Sequence, residues 1–384
     1  MLIRARHYAT QEPVEIAIEG GRITSVGPPT RASADVTADW VAPSFFDIQV
    51  NGCHGISFNA ETLTAEEIRR VADVCRAHGT GGFCPTLITG STAALAHGFS
   101  TLSRACEADA DLARTMPAYH LEGPYIAAED GPRGAHPREH VRPPDWDEFR
   151  RWQDAAGGRI RLVTLAPEHD GALRFIERLA GAGVVVSIGH TAATPECIRD
   201  AIKAGARLST HLGNGAHATL PRHPNYIWEQ LADDELWASV IADGHHLPAA
   251  VLKSILRVKT PARTILISDA SSLAGLPPGR YQIWGNEFEV RPEGKVVLPG
   301  TGFLAGAAVF LDACVSHVLK LGLIELRDAV EMASNRPREL LGLPIPRLEP
   351  GAPADFVFFG HVPECAVRAH RLGRDGRLVP TPAP

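Results

Sequence analysis

The chain has no cationic excess. Among 384 residues, 38 Lys and Arg stand against 44 Asp and Glu, for a formal net charge of -6. General nucleic-acid binding, which needs basic residues to neutralise phosphates, is therefore excluded. Any phosphate recognition must come from a few local residues. No apolar run approaches the length of a membrane helix, and Met1-Leu-Ile-Arg-Ala-Arg6 lacks the apolar core of a secretory signal. No Cys-x-x-Cys pair occurs. The seven cysteines (Cys53, Cys75, Cys84, Cys106, Cys197, Cys314 and Cys365) are odd in number and scattered, so reduced thiols in a cytoplasmic protein are the simplest reading. Linkers, low-complexity segments and internal repeats are also missing. What remains is a chain 45% hydrophobic and 21% charged, long enough for a large core, with 17 histidines. That many histidines makes metal or acid–base chemistry plausible.

The two ends share a β texture. Glu15-Ile-Ala-Ile18 and Arg22-Ile-Thr-Ser-Val26 flank Gly20-Gly21 and read as a hairpin; Trp40-Val-Ala42 follows. Near the other end, Ala354 to Phe359 reads as a strand after the Gly351-Ala-Pro353 turn. Residues 1–42 and 346–384 are expected to form one small β-domain, a sandwich, around a central domain at 43–345. The middle alternates strand and helix. Thr64 caps an amphipathic helix with Glu67 three residues on, closed at Gly79. Val184 to Ile188 is apolar and rich in β-branching, as a strand buried on both faces should be. Thr194-Pro195 then opens a helix, Gly205 ends it, and a second strand leads to His211, which makes a βαβ unit. Similar strands are Gly82 to Thr89, Arg161 to Ala166, Ala238 to Ala242 and Thr264 to Ser268. Repeated βα units predict an α/β fold, a (β/α)8 TIM barrel, with an open doubly wound sheet as runner-up.

The strands end in chemically capable residues: Glu122 in His120-Leu-Glu-Gly-Pro124, then His190, His211, His246 and Asp269. In a barrel all these ends open on one face. One Glu and two His form a ligand set for a catalytic divalent metal that leaves a position for water. An unligated Asp beside that water is a natural general base. A single such Glu or His is ordinarily a solvated or packed side chain; the joint pattern points to a site.

With these residues in hand, the chain resembles the N-acetylglucosamine-6-phosphate deacetylase family of the amidohydrolase superfamily over nearly its whole length. The carriers include Ala42-Pro-Ser-Phe-Phe-Asp-Ile-Gln-Val-Asn-Gly-Cys53, Pro85-Thr-Leu-Ile-Thr89, His120-Leu-Glu-Gly-Pro124, Gly134-Ala-His136, Gly189-His-Thr191, Thr210-His-Leu-Gly-Asn214, Ile241-Ala-Asp-Gly-His-His246 and Ser268-Asp-Ala270. The resemblance implies an amidohydrolase-type barrel with a small β-sandwich from both termini. It implies hydrolysis of the acetamide of N-acetyl-D-glucosamine 6-phosphate to D-glucosamine 6-phosphate and acetate, in amino-sugar catabolism. Glu122, His190 and His211 would bind the metal, Asp269 would be the acid/base, and His136 would steady the acetyl carbonyl. Asn214, Gly215 and Ala216 would meet the sugar phosphate. Arg222 and His246 would hold the phosphate, with Arg222 reaching in from the other subunit of a homodimer. Gln49 and Asn51 stand where many amidohydrolases carry His-x-His, so one metal is expected, zinc by default, with iron(II) or cobalt(II) also suited.

Gly213 to His217 departs from the bulkier family pattern, which predicts a looser pocket wall, and the loop from Ile126 to Gly134 is slightly long. Alternatives are a deacetylase for N-acetylgalactosamine 6-phosphate or an unphosphorylated N-acetyl sugar. From another class, Gly300-Thr-Gly302-Phe-Leu-Ala305 weakly fits a dinucleotide fingerprint before an apolar helix from Phe303 to Leu319, which would suit a nucleotide-dependent oxidoreductase. A non-catalytic sugar-phosphate sensor would be expected to have lost Asp269 or a ligand. His54 reads as a loop residue, Trp228, Trp237 and Trp284 as packing residues, and Asp243 as a brace for a loop or a His. Either His245 or His246 could face inward.

Overall fold

Eight parallel strands carry the molecule: β1 (Phe45–Val50), β2 (Thr80–Ile88), β3 (Tyr119–Glu122), β4 (Ile160–Leu165), β5 (Val185–Ile188), β6 (Ala206–Ser209), β7 (Trp237–Ile241) and β8 (Thr264–Ile267). They follow one another in chain order, β1 to β8, each hydrogen-bonded to the next. In this computed structural model, residues 1–283, 286–300, 303–360, 370–372 and 378–379 are described. The seam between β8 and β1 is closed by a single parallel bridge, Val50 to Ala270, and by the buried Asp47. Asp47 accepts hydrogen bonds from the backbone N–H of Gln49 (3.1 Å) and of Ser268 (3.1 Å), which ties the two strands together. The result is the nearly closed TIM barrel that the alternating pattern predicts.

Local chemistry sets the connections. The helix Ala65–Ala77 has the expected capping box, and Ile68, Val71, Ala72 and Cys75 face inward. The helix Pro195–Ala204 starts with the Thr194 hydroxyl accepting from the N–H of Cys197 at 3.3 Å. Burial of side chains such as Phe45, Phe46, Phe83 and Trp152 contributes about 1.5–3 kcal/mol each.

Outside the barrel, a seven-stranded sheet combines both ends of the chain. Strands Leu2–His7, Pro13–Glu19, Arg22–Gly27 and Val36–Pro43 join Phe356–Phe359, His370–Leu372 and Leu378–Val379. The hairpin turn at Gly20-Gly21 has φ 56° and 74°, a conformation that glycine adopts without steric cost.

Two expectations need correction. The apolar run from Phe303 does not form a helix throughout. Leu304–Ala307 is a strand, and the helix spans Leu311–Lys320. The N–H of Ala307 donates to the carbonyl of Asp269 (2.9 Å) and the N–H of Ser271 to that of Ala307 (3.0 Å), so the backbone there is committed to an extended pairing. That strand completes a four-stranded antiparallel sheet with Gly279–Ile283, Asn286–Val290 and Lys295–Val297. Thr301 and Gly302 of the weak dinucleotide pattern, and Trp284, lie outside the described residues. Second, Trp228 is not packed but 58% exposed. Its helix, Tyr226–Ala232, turns Tyr226 and Gln230 inward, four residues apart, which leaves Trp228 on the opposite face. Trp237 is buried, with the Arg263 guanidinium 5.1 Å from its ring.

Candidate metal centre and active site

Strand ends deliver the polar side chains. Glu122 is the last residue of β3, where Gly123 and Pro124 end the strand. His190 follows β5, His211 follows β6 and Asp269 follows β8. His190, His211 and Asp269 have φ values of 53°, 32° and 51°. Three of the six non-glycine residues with positive φ among the described residues thus fall in this one site, a cost that proteins accept where geometry matters.

The donors converge. Glu122 Oε1 lies 3.2 Å from His190 Nε2 and 3.1 Å from His211 Nε2, and the two Nε2 atoms are 3.0 Å apart. All three side chains are buried. His190 Nδ1 is 2.7 Å from the carbonyl of Pro132, which can only accept, so that nitrogen carries the proton. The Nε2 of a neutral ring then presents a lone pair to a carboxylate and to a second imidazole. Such a trio repels unless a proton or a metal cation lies between its members. A tetrahedral divalent ion with bonds of about 2.0–2.1 Å keeps its donors about 3.3 Å apart, close to this spacing. The residues fit one divalent cation. A second, looser group shares Glu122 and His190 with His136, its donor atoms within 4.8 Å. The set with His211 is the better cradle, because its three donor atoms lie 3.0–3.2 Å from one another.

Gln49 and Asn51 complete the floor. Gln49 Nε2 donates both to Glu122 Oε1 (2.9 Å) and to Asp269 Oδ1 (3.1 Å), while Asn51 Nδ2 donates to the same Asp269 oxygen at 2.8 Å. An amide thus cross-links the two carboxylates. Burial alone would push Glu122 up; the two imidazoles in contact outweigh it and hold the carboxyl well below its usual range. Asp269 moves the other way. Burial and the Glu122 charge raise it to about 7, against the opposing influence of His211, His246 and Asn51. Two carboxyl groups pushed apart in this way divide the roles of anionic ligand and proton carrier. Burial, then the charge of His190, lowers His136 to about 3, which leaves it neutral.

The remaining candidates are placed as follows. Gly215 (φ 56°) passes so close to the ligand rings that a Cβ would lie 2.8 Å from His190 Nδ1 and 3.2 Å from His211 Cε1. Ala216 and Asn214 line a crevice with Thr191, Tyr226 and Gln230, and Asn214 Nδ2 has no partner among the described residues. In the wall expected to be loose, His217 Nδ1 meets the Tyr226 hydroxyl at 2.9 Å and its Nε2 meets Glu129 of the Ile126–Gly134 loop at 3.0 Å. Arg222 is exposed on the loop before Asn225, and His54 is exposed too. His246 faces Asp243 at 2.7 Å, whereas His245 Nε2 turns to the carbonyl of Glu293 at 2.8 Å. Sequence reasoning left out Thr89 as a partner of His136, Pro132 as a partner of His190, and Ser239, whose hydroxyl accepts from the N–H of His211 at 2.8 Å. The two hydroxyl residues end or line strands with no distinguishing pattern, and a carbonyl leaves no mark in a sequence.

A nearly closed parallel barrel with a carboxylate, two imidazoles and an aspartate at its strand ends belongs to the amidohydrolase class. No family model matches the chain. Curated relatives do: an N-acetylgalactosamine-6-phosphate deacetylase of Escherichia coli O157:H7 is 31% identical, covering 93% of this chain and 94% of its own length. The human N-acetylglucosamine-6-phosphate deacetylase is 35% identical, over 83% and 78%. Among solved structures, an N-acetyl-D-glucosamine-6-phosphate deacetylase from Mycobacterium smegmatis, with one aspartate replaced by alanine and in complex with N-acetyl-D-glucosamine-6-phosphate, matches with TM-score 0.88 at 32% identity over 99% of each chain. The chain belongs to the N-acetylglucosamine-6-phosphate deacetylase family. Among the described residues, no helix is long and apolar enough to cross a membrane.

Proposed function

We propose that the enzyme hydrolyses the acetamide of N-acetyl-D-glucosamine 6-phosphate, giving acetate and D-glucosamine 6-phosphate. The observation that carries this reading is the three-donor cradle joined through Gln49 to a carboxyl that titrates near neutrality. Glu122, His190 and His211 would hold one divalent cation, zinc by default, with iron(II) or cobalt(II) suited to the same donors. When bound, that cation supplies Lewis acidity, acidifying water and polarising an amide carbonyl. Asp269 takes the proton of the attacking water and returns it to the leaving amine. Gln49 and Asn51 both hold Oδ1, so Oδ2 is the oxygen left to move the proton. His136, with Nδ1 on Thr89, offers Nε2–H to the oxygen on which negative charge develops. His246, with Arg222 from a second subunit, meets the phosphate; Arg222 suits this role because it is exposed and uncommitted to its own chain's site. The cysteines among the described residues are free and mostly buried, which accords with a reducing cytoplasm.

The E. coli relative named for the galactosamine isomer favours one second reading, the epimeric substrate. Acetate release, measured as kcat/KM on both 6-phosphates and on the plain N-acetyl sugars, tests both readings. The highest value is expected on N-acetylglucosamine 6-phosphate. A preference for a plain sugar would overturn the phosphate contacts.

A further inference from the structure

The chemistry above makes no use of the Asp243 carboxylate. Asp243 lies in the turn after β7, its side chain 1% exposed. Oδ1 accepts the backbone N–H groups of His245 (2.8 Å) and His246 (2.9 Å), and Oδ2 accepts from His246 Nδ1 at 2.7 Å. His246 is itself enclosed, its side chain 7% exposed. The other titratable groups within reach of Asp243 are His317 and Cys314, both on the helix Leu311–Lys320. The Cys314 thiol is buried and pushed far up, hence neutral. His245 points away to Glu293. A buried carboxylate demands a counter-charge, and His246 is the side chain bonded to it. With Nδ1 given to Asp243, only Nε2 is left for a ligand. His246 stands close enough to the active site to influence Asp269.

We infer that Asp243 is a positioning residue for the substrate's phosphate: it orients the His246 ring so that Nε2 faces the phosphate, and lets that ring carry both protons when the dianion is bound. The inference rests on the reading of His246 as a phosphate contact. A neutral imidazole that donates Nδ1–H to Asp243 would offer the phosphate a lone pair; only the doubly protonated ring donates to both anions.

Kinetics on N-acetylglucosamine 6-phosphate and on plain N-acetylglucosamine, with Asp243→Asn and His246→Gln, test it. Asn keeps Oδ1 for the two backbone N–H groups, but its Nδ2 only donates, so His246 Nδ1 must accept and the ring stays neutral. Asp243→Asn should raise KM for the phosphorylated sugar about tenfold, because a neutral Nε2–H then replaces a cationic one as donor to the phosphate. Its kcat, and kcat/KM on the plain sugar, should hold. The double variant should be no worse than His246→Gln alone, since Asp243 acts through that ring. If His246→Gln raises KM and Asp243→Asn does not, the positioning role is overturned while the phosphate contact stands. If His246→Gln leaves KM unchanged, the phosphate contact itself fails, and the inference with it. Should Asp243→Asn not fold, nitrogen NMR of the His246 ring in the unaltered protein with inorganic phosphate decides: two protonated ring nitrogens are expected, and a bare Nε2 overturns the role.

Discussion

The mouth of the barrel is built in two ways. At the strand ends, Glu122, His190, His211 and Asp269 are buried, in contact with one another or bridged by amides, and partly held in left-handed backbone. On the loops between them, Asn214 Nδ2 lacks a partner among the described residues and Arg222 stands in solvent. The difference teaches where each task is placed. Bond cleavage needs donors fixed to a fraction of an ångström, which strands provide. Recognition of a mobile phosphate tolerates a loop, and the site proposed here draws one of its contacts from a second subunit.

Replacing a strand-end residue should therefore cost turnover, and the largest loss is expected for Asp269→Asn. It should fold and keep its metal, but kcat should fall about 10²–10⁴-fold, the usual worth of a positioned acid/base. Activity near that of the unaltered enzyme would remove Asp269 from the chemistry. Glu122→Gln should empty the cradle. Elemental analysis should find well under one metal per chain, and a full complement would show that His190 and His211 hold the ion without it.

A loop change should touch affinity instead. Arg222→Ala is expected to raise KM for the phosphorylated sugar about tenfold while kcat stays level. A fall in kcat with KM unchanged would place Arg222 among the chemical groups and erase the contrast.

The smallest effect concerns the seam beneath both regions. Burial raises Asp47 to about 7 from an ordinary value of 3.8. The folded state then binds more protons than the unfolded state between those values. This contribution to stability is complete below about pH 4 and lost as pH rises through about 7. The melting temperature of the unaltered protein, relative to Asp47→Asn, should therefore fall by a few degrees from pH 5 to pH 8. A constant offset would mean that Asp47 does not titrate between pH 5 and pH 8 in the folded state.

Much of this was legible in the residues. Runs such as Val184 to Ile188, and caps such as Thr64 and Thr194, are strong local signals, and the recurrence of polar residues after apolar strands marked Glu122, His190, His211 and Asp269 as a group. The four-stranded sheet was missed although Tyr281, Ile283, Phe288 and Val290 alternate with polar residues, because its strands are only three to five residues long. The helix was begun too early, at Phe303, because apolarity alone cannot tell a short strand from a helical turn. Gln49 was legible only as a residue standing where many amidohydrolases carry a ligand His. That its amide bridges two carboxylates is a fact of three-dimensional placement, as is the hold of Pro132 on His190. The left-handed backbone at His190, His211 and Asp269 likewise leaves no trace in residue type.

The central claim is that one cation held by Glu122, His190 and His211 serves deacetylation of an amino-sugar phosphate. Elemental analysis of the purified protein, paired with acetate release from N-acetylglucosamine 6-phosphate before and after chelation, tests it most directly. The account predicts one divalent metal per chain, with activity lost on chelation and restored by the metal. A protein with no metal that releases no acetate, or that releases acetate undiminished after its metal is removed, would contradict it.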